Sequence, residues 1–190
     1  GLIYDMFDPT ENVYRERPAG MYDRSQRYIA CDYGTTNPTV FLDIYDDGER
    51  IRVDREYRWD SRKERRQKTD QEYADDFLEF MGGTDATVLV DPSAASFIVA
   101  LRQRGVYVRE ADNDVLDGIR KTGVLLNRRE ILIHERCSGL IDELGTYLWD
   151  EKASLRGEEK PVKQQDHGPD ALRYFVNDLP DWRFEGVQTA

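Results

Sequence analysis

The chain has little sulfur and no long apolar run. Two cysteines, Cys31 and Cys137, stand alone in 190 residues with no CxxC spacing. That excludes a disulfide framework or a cysteine-built metal site, and reads as a reducing, intracellular setting with both thiols buried as structural residues. No stretch approaches the roughly 20 apolar residues of a membrane span, and no secretory leader is visible. The pattern G-x-x-x-x-G-K-[ST] is absent, which excludes ATP binding through such a loop. No internal repeat occurs. Basic residues are outnumbered by acidic ones, 27 to 38, for a net charge of −11. Taken whole, that balance repels phosphate polymers. The first residue is Gly1 rather than Met, as expected of an excised domain or processed product.

What is present is a set of acids placed where strands or helices meet loops. Cys31-Asp32-Tyr33-Gly34-Thr35-Thr36 closes the apolar run Tyr28-Ile29-Ala30-Cys31, and Asp91-Pro92-Ser93-Ala94 closes Ala86-Thr87-Val88-Leu89-Val90. Asp166-His167-Gly168-Pro169-Asp170-Ala171 opens a helical pattern. Carboxylates distant in sequence can converge at such termini. Hard divalent cations such as Mg²⁺ or Mn²⁺ favour these oxygen donors, and two such ions can clamp the attacking and leaving oxygens of a phosphodiester.

Charge is also unevenly spread. Arg58, Arg62, Lys63, Arg65, Arg66 and Lys68 face only Asp60 and Glu64 between positions 58 and 68, so that segment is +4 and the remainder −15. A run of this kind is a solvated face or a local grip on a phosphate backbone. Arg120, Lys121, Arg128 and Arg129 form a candidate second contact, and Lys160 and Lys163 stand in a polar stretch, 152–165, read as a mobile loop over the site. Trp59 is the candidate for base stacking.

Periodicity divides the chain into an arm or linker (1–26), a body (27–178) and a tail (179–190). Within the body, 27–33, 39–45 and 50–59 read as an antiparallel meander with a hairpin at Asp47-Gly48. A capped helix follows at 71–81, then a strand at 86–91, a helix at 92–104, a short strand at 106–109, a helix at 114–126, a strand at 130–134 and helices at 137–149 and 167–177. The order predicts an α/β fold, a mixed sheet flanked by helices. The helix between the first and fourth strands acts as a crossover, so those strands should lie parallel and adjacent, with Asp32 and Asp91 at neighbouring carboxyl ends.

This order, with Asp32-Tyr33-Gly34, Val90-Asp91-Pro92-Ser93-Ala94 and Asp166-His167-Gly168-Pro169-Asp170-Ala171-Leu172-Arg173-Tyr174, resembles the ribonuclease H-like fold. Within it, the chain is similar to the carboxy-terminal nuclease domain of the large terminase subunit of tailed bacteriophages, over about residues 27–178. The resemblance implies a metal-dependent endonuclease that cuts concatemeric double-stranded viral DNA during packaging. It implies, as partners, an ATPase domain in the same full-length protein, the terminase small subunit and the portal, and a location in the host cytoplasm at the procapsid portal, with no membrane. The isolated chain is expected to be a monomer.

On that reading Asp32, Asp91 and Asp170 ligate two Mg²⁺ or Mn²⁺ ions, Asp32 as the bridge. Asp166 is a further ligand or only the helix cap, and His167 touches metal or phosphate, shuttles a proton, or simply starts the helix. In-line attack by water on phosphorus would expel the 3′-oxygen. His134 reads as structural, and Asp43, Asp112 and Asp117 as surface or capping residues, with Asp112 or Asp114 within possible reach of the cleft. Competing readings are an actin- or Hsp70-like nucleotide-binding fragment, from Asp32-Tyr33-Gly34-Thr35-Thr36, a Holliday-junction resolvase or transposase, and a silent DNA- or portal-docking module.

Overall fold

The computed structural model describes residues 1–186. Its strands are β1 (Val13–Tyr14), β2 (Gln26–Asp32), β3 (Thr39–Asp46), β4 (Ile51–Trp59), β5 (Thr87–Val90), β6 (Val108–Glu110) and β7 (Ile131–His134). Its helices are α1 (Met21–Arg24), α2 (Ser61–Glu64), α3 (Asp70–Met81), α4 (Ala95–Gln103), α5 (Leu116–Asn127), α6 (Ser138–Thr146), α7 (Glu151–Leu155) and α8 (His167–Asn177), with a 3-10 turn at Asp181–Phe184.

The strands form one mixed sheet in the order β1-β7-β4-β3-β2-β5-β6. The β2-β3-β4 meander is antiparallel, and β2 pairs with β5 in parallel as the crossover argument requires. Side chains alternate between two cores, because successive residues of a strand face opposite ways. Ala30, Leu42, Ile44, Val53 and Leu89 pack against α5, α6 and α8. Ile29, Cys31, Phe41, Val88 and Val90 pack against α3 and α4. Both faces are covered, which is why every residue of β3 is buried.

Local chemistry sets the helices. Thr69 and Glu72 form a reciprocal capping box at the start of α3. At its other end Arg27 donates to the carbonyls of Met81 and Thr84, and Arg55 to that of Phe80. Asp43 joins the two guanidiniums, at 2.7 Å from Arg27 Nε and 2.8 Å from Arg55 Nη2. Asp43 is therefore fully buried, not a surface residue. A carboxylate between two arginines bears that burial because its charge is paired.

Residues 1–25 lie on the body. Ile3, Tyr4 and Phe7 enter the core, β1 extends the sheet beside β7, and Asp54 accepts hydrogen bonds from Tyr14, Arg17 and Tyr22. The polar stretch 152–165 begins within α7, capped by Asp150, and is tied back through the bridge Trp149↔Pro161. The helix expected to run to Trp149 ends at Thr146, since Tyr147 and Leu148 turn into extended pairing with the N-terminal residues. Of the tail, Leu179 and Arg183 are buried, Arg183 in a double hydrogen bond to Asp46; residues 187–190 lie outside the described residues.

Candidate active site

A cleft of about 880 Å³ opens at the carboxyl end of β2. Asp32 is the last residue of β2, opposite Val40 in the antiparallel ladder. Asp166, His167 and Asp170 come from the start of α8, and all four line the cleft. The helix places Asp166 and Asp170 one turn apart on one side. Pro169 is tolerated in that first turn because its missing N–H would have had no helical partner.

The electrostatics favour added positive charge. Burial raises Asp170 to about 7, helped by the charges of Asp166 and Asp32. Arg173, 3.1 Å away, offsets only part of this. Burial also raises Asp32, with Asp166 and Asp91 adding to the effect and His167 opposing it. His167 Nδ1 lies 3.0 Å from Asp32 Oδ2 and donates to it. Burial pulls the His167 imidazole down, but this hydrogen bond and the charges of Asp32, Asp166 and Glu143 carry it above its ordinary value.

Asp91, at the end of β5, does not line the cleft. Its carboxylate accepts from Tyr174 Oη at 2.9 Å, from Ser93 N at 2.9 Å and from Asn113 Nδ2 at 3.3 Å. Burial raises its proton affinity, but these bonds outweigh it and hold Asp91 below the usual carboxylate range. Among the described residues, no three His, Cys, Asp or Glu side chains are grouped, as they stand, closely enough to hold a metal ion. Each acid is turned toward a protein partner: Asp32 to His167, Asp170 to Arg173, Asp91 to Tyr174.

Sequence reasoning missed Glu143, a buried acid on α6 that also lines the cleft. Its two oxygens accept the backbone N–H groups of His167 and Gly168, each at 3.2 Å. Asp166, the residue before α8, makes no side-chain cap, so Glu143 caps the helix from outside. Arg58 Nη2 donates to Glu143 and, at 3.4 Å, to Glu56. Glu56 in turn accepts from Gly139 N and Leu140 N at the uncapped start of α6. Arg58 passes between two glycines. A Cβ at Gly139 would fall 2.5 Å from Arg58 Nε, and one at Gly168 would fall 2.9 Å from Glu143 Oε1. The available signal was an acid inside the apolar stripe of Leu140, Leu144 and Tyr147.

The basic residues divide. Arg62, Lys63 and Lys163 line the cleft, as does Arg58, whose charge is committed to Glu143. Lys68 pairs with Asp76 and covers the Trp59 ring at 4.1 Å, while Trp59 Nε1 donates to Arg66 O. Trp59 is thus spent on packing rather than open for stacking. Arg66 pairs with Glu72 and Lys160 with Glu158.

Arg128 and Arg129 do not face this site. They precede β7, whose first residue pairs with Ile51 at the start of β4, whereas the cleft lies at the end of β4. At about 3.3 Å per residue, that nine-residue strand separates them by roughly 25 Å. Arg128 bonds the carbonyls of Arg183 and Glu185, and Arg129 bonds the Met6 carbonyl and the Asn12 side chain. Arg120 and Lys121 pair with Asp117 on α5. Asp112 and Asp114 cap local turns and do not line the cleft. His134 is buried, its Nδ1 accepting from Arg136 N and its Nε2 meeting Arg15 O.

No family model matches the chain, and no curated protein matches it. Solved structures do. A large terminase from a thermophilic bacteriophage is 48% identical, with a TM-score of 0.88 over 94% of this chain and 46% of that one. This chain belongs to the phage large-terminase family. It spans less than half the length of that large terminase. The nuclease domain of the P22 large terminase shares the fold, with 17% identity and a TM-score of 0.73 over 93% of this chain and 91% of that one. So does the large terminase nuclease of another thermophilic phage, G20c, with bound magnesium, at 13% identity and a TM-score of 0.71 over 94% of this chain and 98% of that one. The same nuclease has also been solved with bound cobalt. The terminase segment described here therefore has the ribonuclease H-like architecture of those nuclease domains.

Proposed function

We propose that this terminase segment is a divalent-metal-dependent DNA endonuclease that hydrolyses phosphodiester bonds of concatemeric double-stranded DNA, using two Mg²⁺ or Mn²⁺ ions. The observation that carries the proposal is the convergence of Asp32, Asp166 and Asp170 with His167 in one cleft at the carboxyl end of β2, edged by Arg62, Lys63 and Lys163.

The donor set fits hard cations. It is all carboxylate oxygen plus one imidazole, and burial, helped by neighbouring acid charge, raises the proton affinity of Asp32 and Asp170 beyond what His167 and Arg173 offset. Bound ions would activate water and stabilise the charge that develops on the phosphate and the leaving oxygen. Asp32 and Asp170 would hold them, with Asp166 as a further ligand beside Asp170. Asp91 would join by leaving Tyr174. His167, through its Nδ1–H, orients the Asp32 carboxylate, as partners of ligating carboxylates do. Arg62, Lys63 and Lys163 hold the DNA backbone without reading bases.

Family membership supports three further partners: an ATPase domain in the same full-length protein, the small subunit and the portal. It likewise supports a place of action in the infected host cell.

The test is hydrolysis of an end-labelled linear duplex with Mn²⁺. The reading expects fragments with 5′-phosphate and 3′-hydroxyl ends. Intact duplex at all metal concentrations, from protein that binds Mn²⁺ normally, would contradict it.

A further inference from the structure

A second hollow, of about 270 Å³, adjoins the cleft between the β2–β3 loop and the turn after α2. Its lining includes Thr35, Thr36, Ser61, Arg62, Arg65 and Gln67, together with Arg66, and no carboxylate. We infer that this hollow is a phosphate subsite that holds a DNA backbone phosphate beside the one being cut. The inference rests on the DNA-cutting reading above and adds to it a specific place for the flanking strand.

The chemistry selects an anion with several acceptor oxygens. Guanidinium forks and hydroxyls suit a phosphate, and the lining carries three arginines and no acid although the chain's net charge is −11. Arg66 is engaged by Glu72, but among the described residues Arg62 and Arg65 form no ion pair with a carboxylate. The hollow is open to solvent, with room for a phosphodiester unit and its hydration.

The walls are fixed. Ser61 Oγ and Gln67 Nε2 both donate to Thr35 O, at 3.3 and 3.2 Å, tying the two loops together. Arg65 turns the chain with φ of 53°, a left-handed conformation unfavourable for a non-glycine residue. Arg66 N then closes on Ser61 O at 3.1 Å. The first amides of α2 are already taken by Asp60, so the binding groups are side chains. Thr36 and Arg62 line both spaces, and a strand leaving the acids crosses them into the hollow. Arg58 and Lys68, tied to Glu143 and Asp76, are left out of this grip.

The experiment measures binding of a 30-base-pair duplex by fluorescence anisotropy in EDTA, over a salt series, alongside plasmid cleavage. Arg65→Asn removes the cation but keeps a side chain that tolerates a left-handed backbone. Thr36→Val removes a hydroxyl at constant shape. Arg156→Asn, at an exposed arginine on another segment, is the charge control. Arg65→Asn is expected to weaken binding about 5- to 10-fold and lower the slope of log K against log salt by about 1. Thr36→Val should weaken it about 3-fold, and Arg156→Asn by less than 2-fold. If the wild type cuts DNA but Arg65→Asn keeps its affinity and slope, the subsite is overturned alone. If inorganic phosphate binds by calorimetry and loses that heat in Arg65→Asn while duplex affinity stands still, the hollow serves free phosphate and the DNA assignment is overturned. Wild-type protein that neither binds nor cuts duplex overturns the DNA-cutting reading and the subsite together.

Discussion

Replacing Glu143 by alanine tests how the site is held. The substitution strips Arg58, whose side chain is 27% exposed, of its nearer carboxylate, leaving only Glu56 at 3.4 Å, and leaves two amides at the start of α8 without acceptors. Breaking a buried ion pair from one side costs about 3–5 kcal/mol, and partial access of Arg58 to water reduces that to about 2–4. For a domain of this size each kcal/mol moves Tm by about 2–4 °C, so a drop of roughly 5–15 °C is expected by circular dichroism. The double variant Arg58→Met/Glu143→Leu should recover part of the loss, because the guanidinium is no longer left short of a carboxylate while Glu56 keeps the amides of Gly139 and Leu140. The cycle separates the pair from the helix cap, since the amides stay unpaired in both. A Glu143→Ala melt within 2 °C of wild type would refute the reasoning, as would a double variant no more stable than Glu143→Ala.

Two other expectations follow from the same geometry. In EDTA, the folded state holds a proton on Asp170 between pH 4 and about 7 that the unfolded chain has released, so Asp170 makes stability fall as pH rises through that window. Asp170→Asn should flatten that part of the Tm–pH curve, and an unchanged slope would remove Asp170 as its source. Arg129→Ala should lose about 1–2 kcal/mol in chemical denaturation, through its bonds to Met6 and Asn12, while duplex affinity changes less than 2-fold. A large loss of affinity would return the far end of the sheet to the DNA interface.

Much of the fold was legible in local pattern. Asp47-Gly48 marks the β3–β4 hairpin, Thr69 and Glu72 announce α3, and the crossover rule puts β2 beside β5. The acids Asp32, Asp166 and Asp170 were legible because each sits where an apolar run stops or starts. What stayed hidden depends on contacts between distant segments. The edge strand β1 has two residues and no period of its own, and exists because β7 offers it an open edge. Glu143 looked like one more polar residue on a helix until α6 was set against the start of α8. Charge runs mislead for the same reason. Arg58, Lys68, Arg128 and Arg129 read as a grip on phosphate, yet each guanidinium or ammonium finds an acid or a carbonyl inside the fold.

The central claim is tested most directly on supercoiled plasmid. Wild type, Asp32→Asn and Asp170→Asn are incubated with Mn²⁺, Mg²⁺ or EDTA and resolved by gel. The account predicts nicked and linear product from wild type with either metal, none in EDTA, and at least a 100-fold loss in both variants. Cleavage that survives EDTA, or that both variants retain, would contradict it.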